Sequence, residues 1–205
     1  MGRGGHPSPA ARQQEALRAR LKPAVARDDA AIGLPAPCEA VRANRERLLD
    51  GSTYSSVKSA FDLDALASAL CITAEMAQER FRDGRTASVF MEDLLAHSLG
   101  IEKAESSNAA YDVKDGDQKH EVRCLTSGGL SFAPSGMIGS GRTFDQKKFR
   151  EKLDLVAAFF IADITEFPVV TIHVLPSKTV SRWYDDGKLT KQARLSLARA
   201  RALFA

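Results

Sequence analysis

The sequence predicts an α/β protein of the α+β type, in which a central mixed β-sheet is flanked by helices. Residues 86–99 repeat apolar side chains at helical spacing, whereas residues 111–125 alternate as strands do. Two later apolar runs, 155–164 and 169–175, are typical of buried central strands. The order of helices, hairpin, helix, two strands and helices therefore fits a sheet covered by helices.

The N-terminal part of the chain is predicted to be a tail followed by a helical region. Residues 1–10 are rich in Gly, Pro and Ser, so we expect a disordered tail there. Residues 11–84 form the predicted helical region. Its first helices cover 11–27 and 38–50, and the break between them is Pro35-Ala36-Pro37.

Residues 62–82 form a candidate helix-turn-helix within that region. Apolar side chains at helical spacing predict two short helices, and Thr73 is a candidate N-cap of the second. Such a pair can read DNA, but it is also a common packing unit. Both uses stay open.

Residues 85–205 are predicted to form the functional core. Its first helix ends at Gly100, and Asp115-Gly116-Asp117 forms the turn of the hairpin that follows. After the two apolar strands, Ser177 is expected to cap a helix, and residues 188–204 are expected to form a last, basic helix.

Charge and cysteine content limit the classes of function. The net charge of the 205 residues is +3, and bases are concentrated in residues 177–205, which favours an anionic partner there. The three cysteines are scattered, which indicates neither a disulfide framework nor a zinc site and favours a reducing cytoplasm. No apolar run approaches the roughly 18 residues of a membrane span, so we expect no membrane partner.

The hairpin has acids and bases in the pattern that phosphodiester hydrolysis needs. Side chains alternate along a strand, so Glu121 and Arg123 share one face while Val122 faces the core. Pairing across the turn brings Asp112 near Glu121, and close carboxylates repel each other unless a cation lies between them. Mg²⁺ prefers oxygen ligands and retains the waters that hydrolysis uses.

Asp112, a spacer of eight residues and then Glu121-Val122-Arg123 resemble the signature of the PD-(D/E)XK nuclease superfamily. The resemblance covers roughly residues 85–185, because a helix containing Glu92 precedes the hairpin and a helix with two hydrophobic strands follows it. The resemblance implies a restriction-endonuclease-like fold. It also implies that Asp112 and Glu121 bind Mg²⁺, with Glu92 as a further ligand.

The sequence departs from this signature at two positions. Tyr111 replaces a proline, which is a minor change, whereas Arg123 stands where the superfamily has a lysine. Arginine stays protonated and cannot act as a base, but it can bind the scissile phosphate and stabilise developing charge. Alternatively, Lys114 on the neighbouring strand supplies the missing ammonium group.

The segment after the hairpin is predicted to contact DNA. Residues 127–143 are rich in Gly and Ser, which let the backbone approach phosphates, and bases follow closely. The segment lacks the frame of a phosphate-binding loop, so we expect no nucleotide cofactor. The predicted DNA-binding residues are Lys114, Ser127, Arg142, Lys147 and Lys148.

These features predict a type II restriction endonuclease that binds double-stranded DNA as a homodimer and cleaves both strands with Mg²⁺. Two alternatives stay open. One is a repair or junction nuclease of the same superfamily, which would not cleave at one short sequence. The other is a non-catalytic regulator that binds DNA through residues 62–82 and leaves it intact when Mg²⁺ is added.

Overall fold

The structure is a computed structural model that describes residues 33–106, 109–137 and 142–205. The predicted tail, 1–10, and the helix predicted over 11–27 lie outside these residues.

Eight strands are described in two sheets. In chain order they are Ser55–Ala60 (β1), Glu102–Lys103 (β2), Val113–Asp115 (β3), Gln118–Leu125 (β4), Leu130–Ser131 (β5), Ala158–Glu166 (β6), Val169–Pro176 (β7) and Arg194–Leu195 (β8). Six of them form a mixed sheet in the order β1-β7-β6-β4-β3-β2. Neighbours in it are antiparallel except β4 and β6, which are parallel. The short strands β5 and β8 pair separately.

Helices cover both faces of the mixed sheet. The helices of the described residues are Pro37–Ala43 (α1), Arg45–Asp50 (α2), Leu63–Ala69 (α3), Ala74–Arg82 (α4), Gly84–Leu99 (α5), Gln146–Leu155 (α6), Ser177–Asp185 (α7) and Leu197–Phe204 (α8). The described residues also include a 3-10 turn at Ser135–Met137. This architecture confirms the predicted α/β class. Within the described ranges, none of the helices has both the length and the apolar character that crossing a membrane requires.

Two hydrophobic cores lie on opposite faces of the sheet. One contains apolar side chains of α1, α2, α4 and α5, and the other those of α6, α7, α8 and β8. Strand β4 contributes Val122 to the first core and Leu125 to the second. Because side chains alternate along β4, Glu121 and Arg123 share the α6 side of the sheet. That side is where the polar site described below forms.

Local sequence explains where α4 and α5 begin and end. The Thr73 hydroxyl caps α4 by accepting a 3.1 Å hydrogen bond from the backbone N–H of Met76. Asp83 caps α5 through the N–H of Arg85 at 3.0 Å, and Gly100 ends α5 in the left-handed region with φ 64°. The predicted cap at Thr73 and stop at Gly100 are thus confirmed.

The structure differs from the sequence-based expectation in the region predicted to be helical. Strand β1 lies within residues 11–84 and pairs with β7 at the edge of the mixed sheet. Its only large apolar side chain is Val57, so the segment has no strong alternation. Pairing with the buried strand β7 makes this segment a strand.

Two predictions near the C-terminal end of the fold were wrong. Ser177 does not cap α7, because its hydroxyl donates to the carbonyl of Val156 and Pro176 precedes the helix. Residues 188–204 are not one helix, because Arg194 and Leu195 pair with β5. The helix begins only at Leu197, after Ser196 caps it.

Candidate active site

The backbone of the hairpin fixes Asp112 in place. Asp112 precedes β3, and its N–H donates to the carbonyl of His120 at 3.0 Å. Its carboxylate oxygen Oδ2 accepts a 2.8 Å hydrogen bond from the N–H of Val122. The side chain of Asp112 therefore reaches β4 between Glu121 and Arg123, as the pairing predicted from sequence requires.

Glu121 is buried between two cations. Only 2% of the residue is exposed, and its two carboxylate oxygens contact the guanidinium of Arg123 and the ammonium of Lys152. Arg123 also lies 4.0 Å from the Asp112 carboxylate. The guanidinium donates to the carbonyls of Val122 and Ala133, both at 3.2 Å. Arg123 is thus held beside both carboxylates by backbone as well as by charge.

Lys152 is a site residue that sequence reasoning missed. It lies on α6, is 8% exposed, and donates to the carbonyl of Ala110 at 2.6 Å as well as to Glu121. A signal was present, since Lys152 lies three residues after the buried Phe149 and next to the buried Leu153. A lysine on the apolar face of a helix needs a buried partner, because an unpaired ammonium is costly to bury.

Burial and mutual repulsion act against negative charge on the carboxyl groups of this site. Burial raises the pKa of Glu121, and the Asp112 charge raises it further, while Arg123 and Lys152 oppose the shift. The pKa of Glu92 on α5 is also raised, first by burial and then by Asp112, while Lys103 at 3.6 Å opposes the shift. Glu92 and Glu121 therefore each interact electrostatically with Asp112.

The donor set has the chemistry of a Mg²⁺ site that substrate completes. No group of three or more His, Cys, Asp or Glu side chains that could hold an ion occurs in the described part of the chain. Mg²⁺, however, is usually held by one or two carboxylates together with waters and substrate phosphates. Asp112 and Glu121 fit that pattern, provided that Glu121 exchanges one of its cation contacts for the metal.

The carboxylates open into a cavity of about 770 Å³, which is the candidate site of catalysis and which we call the catalytic cavity. Asp112, Glu121 and Lys152 line it together with Arg142 and Lys148. Comparisons with protein-family models, curated proteins and solved structures find no match for this chain. The function of the cavity is therefore inferred from its own residues.

Other predicted site residues lie elsewhere. Lys114 pairs with Glu102 at 2.8 Å, Ser127 is exposed in the turn that follows β4, and Lys147 lies 3.9 Å from Glu151 at the surface. None of the three predicted residues lines the catalytic cavity. Lys152, and not Lys114, is the lysine beside the carboxylates.

The predicted helix-turn-helix segment does form two helices, α3 and α4. The turn between them contains Cys71 with φ 54°. The first turns of these helices contain Asp64 and Glu75, respectively. The last turn of α4 contains Arg80 and Arg82, so the segment carries charges of both signs.

Proposed function

We propose that this protein is a Mg²⁺-dependent endonuclease that hydrolyses phosphodiester bonds of double-stranded DNA. The proposal rests on one observation, which is that Asp112, Glu121 and Lys152 line one cavity, with Arg123 in contact with Glu121, although α6 is distant from the hairpin in sequence. Paired acids beside fixed cations suit phosphoryl transfer, which depends on positioning and on charge stabilisation. Within that class we propose a type II restriction endonuclease that acts as a homodimer.

Asp112 and Glu121 would hold the metal, with Glu92 adding negative charge nearby. When bound, Mg²⁺ supplies Lewis-acid polarisation of the phosphate and lowers the pKa of a bound water. The N–H of Val122 orients Asp112 towards this position. Orientation by backbone matters because carboxylate ligands must be fixed before the substrate arrives.

Arg123 and Lys152 supply positive charge on the two sides of Glu121. Arg123 stays protonated and stabilises negative charge as it develops on the phosphate oxygens. Lys152 is fixed by the Ala110 carbonyl, so its ammonium is already positioned when substrate binds. Fixed cations need no reorganisation during the reaction, which is why they lower its barrier.

The catalytic cavity also has positive charge on its outer wall. Lys148 and Arg142 are exposed and line the cavity, where they can contact the phosphates beside the scissile one. These contacts would set the position of the DNA without reading its sequence.

The proposal is tested with Asp112→Asn, which keeps an oxygen acceptor for the N–H of Val122 but removes the charge. Wild-type protein should cut plasmid or phage DNA into discrete bands when Mg²⁺ is added. Asp112→Asn should bind DNA without cutting it. The matched control is Asp115→Asn, since Asp115 lies on the same hairpin but faces Arg45 at the surface.

Cleavage by Asp112→Asn at the wild-type rate would refute the site assignment. Cleavage of branched DNA alone, with no cutting of linear duplexes, would instead indicate a junction nuclease of the same chemistry. Tight binding by wild-type protein with no cleavage in Mg²⁺ would indicate a regulator.

A further inference from the structure

A second concave surface adjoins the catalytic cavity. It has a volume of about 780 Å³ and lies between the start of α5, the end of β4, the turn Thr126–Gly129 and the β5–β8 pair. We call it the arginine groove, because its lining includes Arg85, Arg123, Arg142 and Arg194. Asp83 is the single acid among the described lining residues, and its carboxylate already caps α5.

Two buried polar atoms of this lining have no hydrogen-bond partner in the described structure. They are Nε of Arg123 and Oγ of Ser131. Buried polar groups are almost always paired, so these two atoms call for a partner that the protein itself does not supply, such as a water or a ligand atom. Arg123 is only 12% exposed, which makes its unpaired N–H difficult to explain by packing alone.

The floor of the groove is built by close backbone packing. Gly129 has φ 91°, and a Cβ there would collide with the carbonyl of Leu195 on β8. A Cβ at Gly84 would lie 2.7 Å from the side chain of Thr126. The glycines thus bring the turn against both β8 and the start of α5. The start of α5 therefore lines the groove, where Asp83 caps the helix and the exposed Arg85 supplies positive charge.

The groove and the catalytic cavity share lining residues. Ser135 and Arg142 line both, and Arg123 contacts Glu121 in the cavity while lining the groove. A nucleic-acid strand with one phosphate at Asp112 and Glu121 would continue along the arginines.

We propose that the arginine groove binds the sugar-phosphate backbone of double-stranded DNA beside the scissile phosphate. This inference rests on the nuclease proposal for the identity of its ligand. It assigns phosphate contacts to Arg85, which had no role in the sequence-based prediction, and to Arg194, one of the bases within residues 177–205 that favoured an anionic partner. Both are exposed and neither lines the catalytic cavity, so they can be changed without altering the carboxylates.

The test measures binding of a fluorescently labelled DNA duplex to the full chain in EDTA, by anisotropy, over a series of salt concentrations. The variants are Arg85→Ala, Arg194→Ala and the double variant, with Arg182→Ala on α7 as the matched exposed control. The plot of log affinity against log salt has a slope of roughly 0.9 for each phosphate that is neutralised, and each groove arginine should neutralise one phosphate. The slope should therefore fall by roughly 0.9 in each single variant and by roughly twice that in the double variant, with no change for Arg182→Ala.

Each outcome separates the two proposals. If the groove variants bind DNA with the wild-type salt slope, the proposal that the groove binds DNA is overturned. Cleavage by wild-type protein, and with it the nuclease proposal, would be unaffected. Reduced slopes in these variants, with no cleavage by wild-type protein in Mg²⁺, would support the groove and refute the nuclease. Tighter binding of a single-stranded oligonucleotide than of the duplex would overturn the assignment to double-stranded DNA.

Discussion

The ammonium group of Lys152 on α6 contacts the carboxylate of Glu121 on β4, and both residues are almost completely buried. This contact joins a helix and a strand that lie on opposite sides of a long loop in the sequence. It also gives Glu121 a second cation besides Arg123. The pair therefore links α6 to the sheet, and in the proposed nuclease it also has a chemical role.

Replacing Lys152 with Met should reduce both stability and cleavage. Met has a similar length but no charge, so it leaves one oxygen of Glu121 without its cation. Loss of a hydrogen bond to a charged group typically costs about 1.5–3 kcal/mol of unfolding free energy. Urea unfolding and single-turnover cleavage measure the two effects, with Lys147→Met as an exposed control on the same helix. A Lys152→Met protein of wild-type stability would contradict the burial of this pair.

Arg123→Ala should slow cleavage by about a hundredfold or more, because one fixed cation at the transition state is removed. Arg123→Lys should retain partial activity, since a positive charge remains beside Glu121. The measurement is single-turnover cleavage over a Mg²⁺ titration. Wild-type rates for Arg123→Ala would place Arg123 outside the chemistry and leave Lys152 as the relevant cation.

Gly129→Ala should destabilise the protein and weaken DNA binding. An alanine at this positive φ lowers the free energy of unfolding by roughly 1–3 kcal/mol, and its Cβ would push the turn away from Leu195. Gly128→Ala is the matched control, because its Cβ would meet Thr126 at an ordinary 3.5 Å. Thermal unfolding compares the two. Equal stability of both variants would show that the turn does not rest against β8.

His120→Leu should reduce the loss of stability at acid pH. Burial lowers the pKa of His120 below its usual value of 6.5, so the unfolded chain binds the proton more tightly. The neutral ring of His120 makes its full contribution to the free energy of unfolding above about pH 6.5. This contribution is lost as the pH falls below that value. Unfolding free energies of both proteins at pH 7.5 and 5.5 test this, and His173 cancels in the difference. A constant difference between the two proteins would contradict the expectation.

The sequence was sufficient to predict the hairpin and its two acids, because alternation along a strand depends on neighbouring residues alone. Val122 points into the core, so Glu121 and Arg123 share the other face. Lys152 could not be placed at Glu121, because that contact depends on how α6 packs over the sheet. Strand β1 was missed for a related reason, since pairing with β7 and not its own composition makes it a strand.

The arginine groove also depends on tertiary packing, which the sequence alone does not reveal. Arg85 and Arg194 come from the start of α5 and from β8, and only the turn at Gly129 brings β8 to β4. Neither arginine belongs to a recognisable motif. Local patterns therefore identified the acids of the site together with Arg123, Arg142 and Lys148, but not Lys152 or Arg85.

The contact between the Gly129 turn and β8 also has a consequence for biosynthesis. A ribosome releases the chain from the N-terminus, so Asp112, Glu121, Arg123 and Lys152 emerge before Arg194 does. Strand β8 is one wall of the groove, and its Leu195 packs in the same core as α6, so neither the groove nor the packing around Lys152 is complete before β8 is made. If the proposed nuclease needs that wall to hold DNA, cutting begins only once synthesis has passed β8, which would delay damage to the host's own DNA.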